Sequence, residues 1–224
     1  MPANLTPVEH HLTVSRTARY FTLGDPATAA HIWFALHGYG QLGEKFIGYL
    51  ATLAGDSRLI VAPEGLSRFY LDQGRGPCGA SWMTREDRDH EISDYVRYLD
   101  QLNSEIRRQC PVEARSYALG FSQGVATLGR WLDRGQARHH GYCLWAGTLP
   151  QELDLTRPHP ALAGRNVALV IGHRDEYLTR DWLATESRRL GSIAGEVRQF
   201  PFDGGHRLDR TVLADVAAFL ETSP

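Results

Sequence analysis

Five short apolar runs, each followed by turn residues and then a longer stretch, constrain this chain more than any other feature. The runs are Ile32 to Leu36, Leu59 to Ala62, Ser116 to Leu119, Tyr142 to Trp145 and Val167 to Ile171. Runs this short and this uniformly apolar suit strands buried on both faces. Between them, Ile92, Val96, Leu99, Leu102 and Ile106 recur at three- and four-residue spacing, the period of a helix with one buried face. Thr84, with Asp87 three positions later, reads as the capping box that opens this helix. The helical period returns at Val125, Leu128 and Leu132, at Leu178, Trp182 and Leu190, and at Val212, Leu213, Val216 and Leu220. Strand and helix therefore alternate, which implies an α/β fold: a mostly parallel sheet with helices on both faces, because a right-handed crossover needs the intervening helix. His11 to Val14 and Arg19 to Leu23 alternate more weakly and predict an antiparallel N-terminal hairpin at the sheet edge.

At 224 residues the chain is too short for two full-sized enzymatic domains, so residues 1–224 are read as a single domain. With 24 Lys and Arg against 26 Asp and Glu, no electrostatic case arises for nucleic acid or an anionic membrane. The start of the chain lacks a cationic segment followed by an apolar one, and no run approaches a membrane span, so a cytoplasmic protein without membrane insertion is expected. Cys78, Cys110 and Cys143 are sparse and odd in number, which argues for free thiols and against a disulfide framework or a zinc knuckle. No cofactor and no metal is expected.

In open sheets of this kind, chemistry collects in the loops beyond the carboxyl ends of the strands. After the third run comes Gly120-Phe121-Ser122-Gln123-Gly124, a Gly-x-Ser-x-Gly sequence between an expected strand and an expected helix. A bare match would recur by chance in roughly one such sequence in ten. The strand and helix around it are what make Ser122 a candidate nucleophile, held exposed on a sharp strained turn. A serine hydroxyl needs a base to take its proton and a third group to orient that base. His206, in Asp203-Gly204-Gly205-His206 before the last helix, is the candidate base. Asp175 follows the fifth run and is the candidate acid, with the adjacent Glu176 as an alternative. His173 reads as a loop side chain. His10, His11, His31, His90, His139, His140 and His159 read as solvated histidines at edges or polar surfaces. An oxyanion hole built from two backbone N–H groups would use Gln123, directly after the nucleophile, and Tyr39 in His37-Gly38-Tyr39-Gly40, with His37 as a structural residue.

These residues resemble the phospholipase/carboxylesterase family of the α/β-hydrolase superfamily, which includes acyl-protein thioesterases. The similarity rests on Leu36-His37-Gly38-Tyr39-Gly40, Gly120 to Gly124, Gly147-Thr148-Leu149-Pro150, Gly172-His173-Arg174-Asp175 and Gly204-Gly205-His206, in the family's order. It implies an α/β-hydrolase fold without a cap domain, with Ser122, Asp175 and His206 as triad and the Tyr39 and Gln123 amides as oxyanion hole. The family commonly carries Thr or Ser at the position of His173, and Ser at that of Ala146. Glu64 to Arg88 is read as a long loop overhanging the site, with Trp82 lining a substrate pocket and Phe69 and Tyr70 as further aromatics.

The function expected is that of a serine carboxylesterase that hydrolyses short- to medium-chain carboxylic esters through an acyl-enzyme. The partner would be a small-molecule ester; oligomeric state is left open. An acyl thioesterase or lysophospholipase would use the same triad. An acyltransferase differs only in what displaces water, and a non-catalytic binding protein on the same scaffold is the most distant alternative.

Overall fold

The computed structural model describes residues 6–55 and 57–222. The chain opens with strand β1 (Tyr20–Leu23), strand β2 (His31–Leu36), helix α1 (Gly43–Tyr49) and strand β3 (Arg58–Pro63). Strands β4 (Ser67–Asp72) and β5 (Arg75–Ser81) and helix α2 (Arg88–Gln109) follow. The second half runs β6 (Arg115–Phe121), α3 (Gln123–Arg134), β7 (Gly141–Trp145), β8 (Asn166–Gly172), α4 (Arg180–Leu190), β9 (Val197–Phe202) and α5 (Arg210–Glu221), alternating strand and helix except between β7 and β8.

Seven strands form one sheet in the order β1-β3-β2-β6-β7-β8-β9, parallel throughout except for β1. Each apolar run identified in the sequence is a strand of this sheet, and the pleat explains why the runs are unbroken. Along β2, Ile32, Phe34 and Leu36 face a core shared with α2, α3 and α4, while Trp33 and Ala35 face a second core shared with α1 and α5. Both faces of the central strands are covered, so a polar side chain there needs a buried partner, as Ser116 of β6 has in His139. Among the described residues, no insertion is large enough to cap the carboxyl ends of the strands.

Three local expectations are corrected. The sheet edge is one antiparallel strand, β1, and not a hairpin: β1 pairs with β3 from Tyr20↔Pro63 to Leu23↔Ile60, and His11 to Val14 forms no strand. That segment lies across α2 instead, with His11 Nε2 3.3 Å from Asp87. The capping box at Thr84 does not form. Asp87 is the N-cap with φ 46°, its side chain accepts no N–H of the first helical turn, and the Glu91 carboxylate accepts from the Thr84 N–H (2.6 Å) and hydroxyl (3.3 Å). Glu64 to Arg88 is not an irregular loop, because β4 and β5 make an antiparallel hairpin across it.

Candidate active site

Ser122 leaves β6 and starts α3 with φ 54° and ψ −117°, a conformation that costs a non-glycine residue on the order of 1–3 kcal/mol. Its N–H donates to Trp145 O (2.9 Å), and its carbonyl accepts from Val125 N–H (3.0 Å), so the turn is held from both sides. The flanking glycines are needed for space. A Cβ on Gly124 would stand 2.1 Å from Leu36 O, and one on Gly120 would stand 2.5 Å from Gly124 O. No side chain fits at that distance.

His206 lies in the loop between β9 and α5, where its Nε2 is 2.9 Å from Ser122 Oγ and its Nδ1 is 2.8 Å from Asp175 Oδ2. Asp175 follows β8, and its carboxylate is fully buried; Oδ1 accepts the N–H groups of Tyr177 (2.9 Å) and Leu178 (3.0 Å). A carboxylate facing Nδ1 keeps the ring proton on that atom and leaves the Nε2 lone pair for the serine hydroxyl. Glu176, the alternative acid, instead accepts the backbone N–H of His206 at 3.4 Å. The structure thus brings Ser122, His206 and Asp175 together from three strand ends.

The His37–Gly40 loop runs beside the serine: a Cβ on Gly38 would stand 3.2 Å from Ser122 Cβ. Within this loop the Gly38 N–H goes to Gln41 Oε1 (2.8 Å) and the Gly40 N–H to Ala80 O (2.9 Å). The N–H groups of Tyr39 and Gln123 make no hydrogen bond among the described residues, which leaves both donors available. His37 is buried, with Nδ1–H on Gly38 O (2.8 Å) and Nε2 accepting Gly65 N–H (2.9 Å). Burial pushes its pKa down, so the ring stays neutral and holds the loop.

Trp82, expected to line a substrate pocket, is buried against the glycine-rich loop. Its indole is 1% exposed, stacked on His37 at 4.9 Å and edge-on to Tyr95 at 6.2 Å, and its Nε1–H donates to His37 O (2.8 Å). The aromatic residue that follows the hairpin braces the glycine-rich loop from behind. Sequence reasoning missed Gln41, Tyr177 and the role of the Gln123 side chain, whose amide alone it singled out. Gln41 ties off Gly38. The Gln123 side chain accepts from Trp82 N–H (3.2 Å) and donates to Met83 O (3.0 Å), fastening the hairpin exit to the serine turn. Tyr177, exposed, packs edge-on against His206 at 4.6 Å. None leaves a local signal, because each acts through partners across the loop cluster. Another correction concerns His139, which is fully buried rather than solvated, with Nδ1 3.1 Å from Ser116 Oγ and its pKa pulled down by burial to about 3.

Beside His206 a cleft of about 520 Å³ is lined by Phe121, Tyr49, Leu208, Gln41 and Asp209. Tyr39 is exposed, and its ring lies 5.1 Å from the Phe69 ring of the hairpin.

No family model and no curated protein matches the chain. Solved structures do. A carboxylesterase from Mesorhizobium loti is similar with a TM-score of 0.71 at 18% identity, covering 92% of this chain and 95% of that one. A Zea mays acyl-protein thioesterase 2 is similar with a TM-score of 0.69 at 17% identity, covering 92% and 99%. The chain has the α/β-hydrolase fold. A phospholipase/carboxylesterase from Dyadobacter fermentans shares that fold with a TM-score of 0.68 at 19% identity, covering 94% and 99%. In the α/β-hydrolase fold the serine turn follows a central strand, and β6 with α3 occupies that place here. No helix among the described residues is long and apolar enough to cross a membrane.

Proposed function

We propose that this chain, acting as one domain, is a serine carboxylesterase for small-molecule esters with short- to medium-chain acyl groups. The observation that carries this reading is the hydrogen-bonded series Ser122 Oγ, His206 Nε2, His206 Nδ1 and Asp175 Oδ2. In the proposed reaction, His206 takes the Ser122 proton as Oγ bonds to the ester carbonyl carbon. The Tyr39 and Gln123 N–H groups receive the oxyanion. His206 then passes its proton to the departing alcohol, and water repeats the sequence to release the acid and restore Ser122. The Asp175 carboxylate stabilises the imidazolium between these transfers. The open rim of Tyr39, Phe69 and Tyr177 and the modest cleft beside His206 support acyl groups of limited length.

A thioester substrate is the second reading, supported by the likeness to an acyl-protein thioesterase and by chemistry that needs no further residue. The test is hydrolysis of p-nitrophenyl acetate, butyrate and octanoate beside matched acyl thioesters, with Ser122→Ala as control. Covalent labelling by a fluorophosphonate at Ser122 and turnover of at least one ester support the proposal. An unlabelled Ser122 together with intact esters and thioesters would end it.

A further inference from the structure

The N-terminal segment meets the start of α2 through a cluster that includes none of Ser122, His206 and Asp175. His11 Nε2 and His90 Nδ1 both approach the same carboxylate oxygen, Asp87 Oδ1, at 3.3 and 2.6 Å. Their imidazole rings stack at 3.9 Å with 27° between planes, and Glu9 Oε1 lies 3.2 Å from His11 Nε2. All four side chains are exposed, so a hydrated ion can reach them. His11 and Glu9 stand two positions apart, which in an extended chain puts both side chains on one side.

Two imidazoles and a carboxylate converging on one point form a ligand set with a definite preference. Oxygen-seeking Mg²⁺ and Ca²⁺ favour carboxylates, carbonyls and water, whereas nitrogen with carboxylate oxygen suits Zn²⁺. One donor atom each from His11, Asp87 and His90 lies within 4.8 Å of the others. Metal–ligand bonds of about 2.0 Å in a tetrahedron put ligands about 3.3 Å apart, so His11 and Asp87 keep their present separation, His90 moves back from Asp87 by roughly 0.7 Å, and the two imidazole nitrogens, within 4.8 Å, close by at most about 1.5 Å. Asp87 and Glu9 together balance the two positive charges.

We propose that His11, Asp87 and His90, with Glu9 as fourth ligand, bind one Zn²⁺ ion that clips the N-terminal segment onto the start of α2. The ion takes the place of the imidazole protons now directed at the Asp87 carboxylate. Its task is structural, and the inference does not depend on the esterase reading. It also gives His11 and His90 a joint role that no sequence spacing reveals, since one precedes β1 and the other opens α2.

The test is calorimetric titration of the tag-free full chain with Zn²⁺, with Mg²⁺ and Ca²⁺ as comparisons. One tight site per chain is expected, weakened on the order of 10-fold or more by His11→Ala and by His90→Ala and unchanged by His206→Ala. Co²⁺ bound at the same site should show the strong visible absorption of tetrahedral coordination, lost in both variants. Tryptic cleavage at the exposed Arg16 should slow several-fold with Zn²⁺ in the wild type and not in His90→Ala. Zinc binding that survives both His11→Ala and His90→Ala, or that disappears with His206→Ala, overturns the site. Cleavage at Arg16 indifferent to zinc overturns the clip.

Discussion

The indole N–H of Trp82 donates to the carbonyl of His37 at 2.8 Å, and the two rings stack at 4.9 Å. A residue that closes the hairpin thereby sets the position of a loop that starts at the end of β2. His37 extends the same bracing by accepting the Gly65 N–H on its other ring nitrogen. The glycine-rich loop beside Ser122 is therefore supported by a buried aromatic layer.

Trp82→Phe keeps the ring and removes one donor, leaving a buried carbonyl unsatisfied. Stability should fall by about 1–3 kcal/mol in urea denaturation. Turnover should fall about 10- to 100-fold with KM nearly unchanged, because the loss acts on oxyanion positioning. A change in KM that grows with acyl length would instead assign Trp82 to substrate contact and defeat the bracing account.

Asp175→Asn preserves shape and removes charge. An amide opposite Nδ1 can present its N–H, which favours the ring tautomer with its proton on Nε2, where it cannot accept from Ser122. Ester hydrolysis should drop on the order of 10³- to 10⁴-fold. Glu176→Gln should change it less than tenfold, since Glu176 accepts the His206 backbone N–H and not its ring. Equal losses in the two variants would undo the assignment of the acid.

Two glycines near Ser122 should respond differently to alanine. Gly124→Ala forces a Cβ to 2.1 Å from Leu36 O, within the sheet, and should destabilise the chain by more than about 3 kcal/mol or prevent folding. Gly38→Ala meets Ser122 Cβ at 3.2 Å and Gln41 Oε1 at 3.1 Å, contacts that yield with a small shift. That variant should fold, with a Tm within a few degrees of wild type, and lose kcat. Circular dichroism melts beside ester kinetics check both.

Glu221 links α5 to the opposite end of the sheet, accepting from Arg58 Nε (2.8 Å) and Nη2 (2.7 Å) and from Trp33 Nε1 (2.8 Å). Burial opposes its charge, but these donors outweigh burial and hold the carboxyl below its ordinary range. A depressed carboxyl contributes stability that is full above the unfolded value, near about 4.3, and fades as pH falls through the lower folded value. Glu221→Gln should cost on the order of 2 kcal/mol at pH 7. The gap between variant and wild type should narrow below about pH 4. A gap constant from pH 7 to pH 3 would contradict the ion-pair account.

The central strands were legible because β2, β3, β6, β7 and β8 are buried on both faces, and that requirement writes itself as unbroken apolar runs. The turn at Ser122 was legible for a related reason: close backbone approach at Gly120 and Gly124 admits no side chain, so glycine spacing carries the geometry. The order of Ser122, Asp175 and His206 along the chain followed the strands that deliver them. Local sequence thus determined the strand–helix alternation, the serine turn and the candidates for base and acid.

Only the tertiary structure decided what depended on distant partners. Trp82 read as a pocket wall because an aromatic among glycines looks available, yet His37 and Tyr95 enclose it. His139 read as solvated, yet it sits beneath Phe34 and Trp131. His11 to Val14 read as a strand, but β1 had already taken the free edge of β3, and the segment settled on α2, where His11 meets His90. Periodicity records which face of an element is buried. It does not record which remote residue buries it, and each of these three outcomes was set by that remote partner.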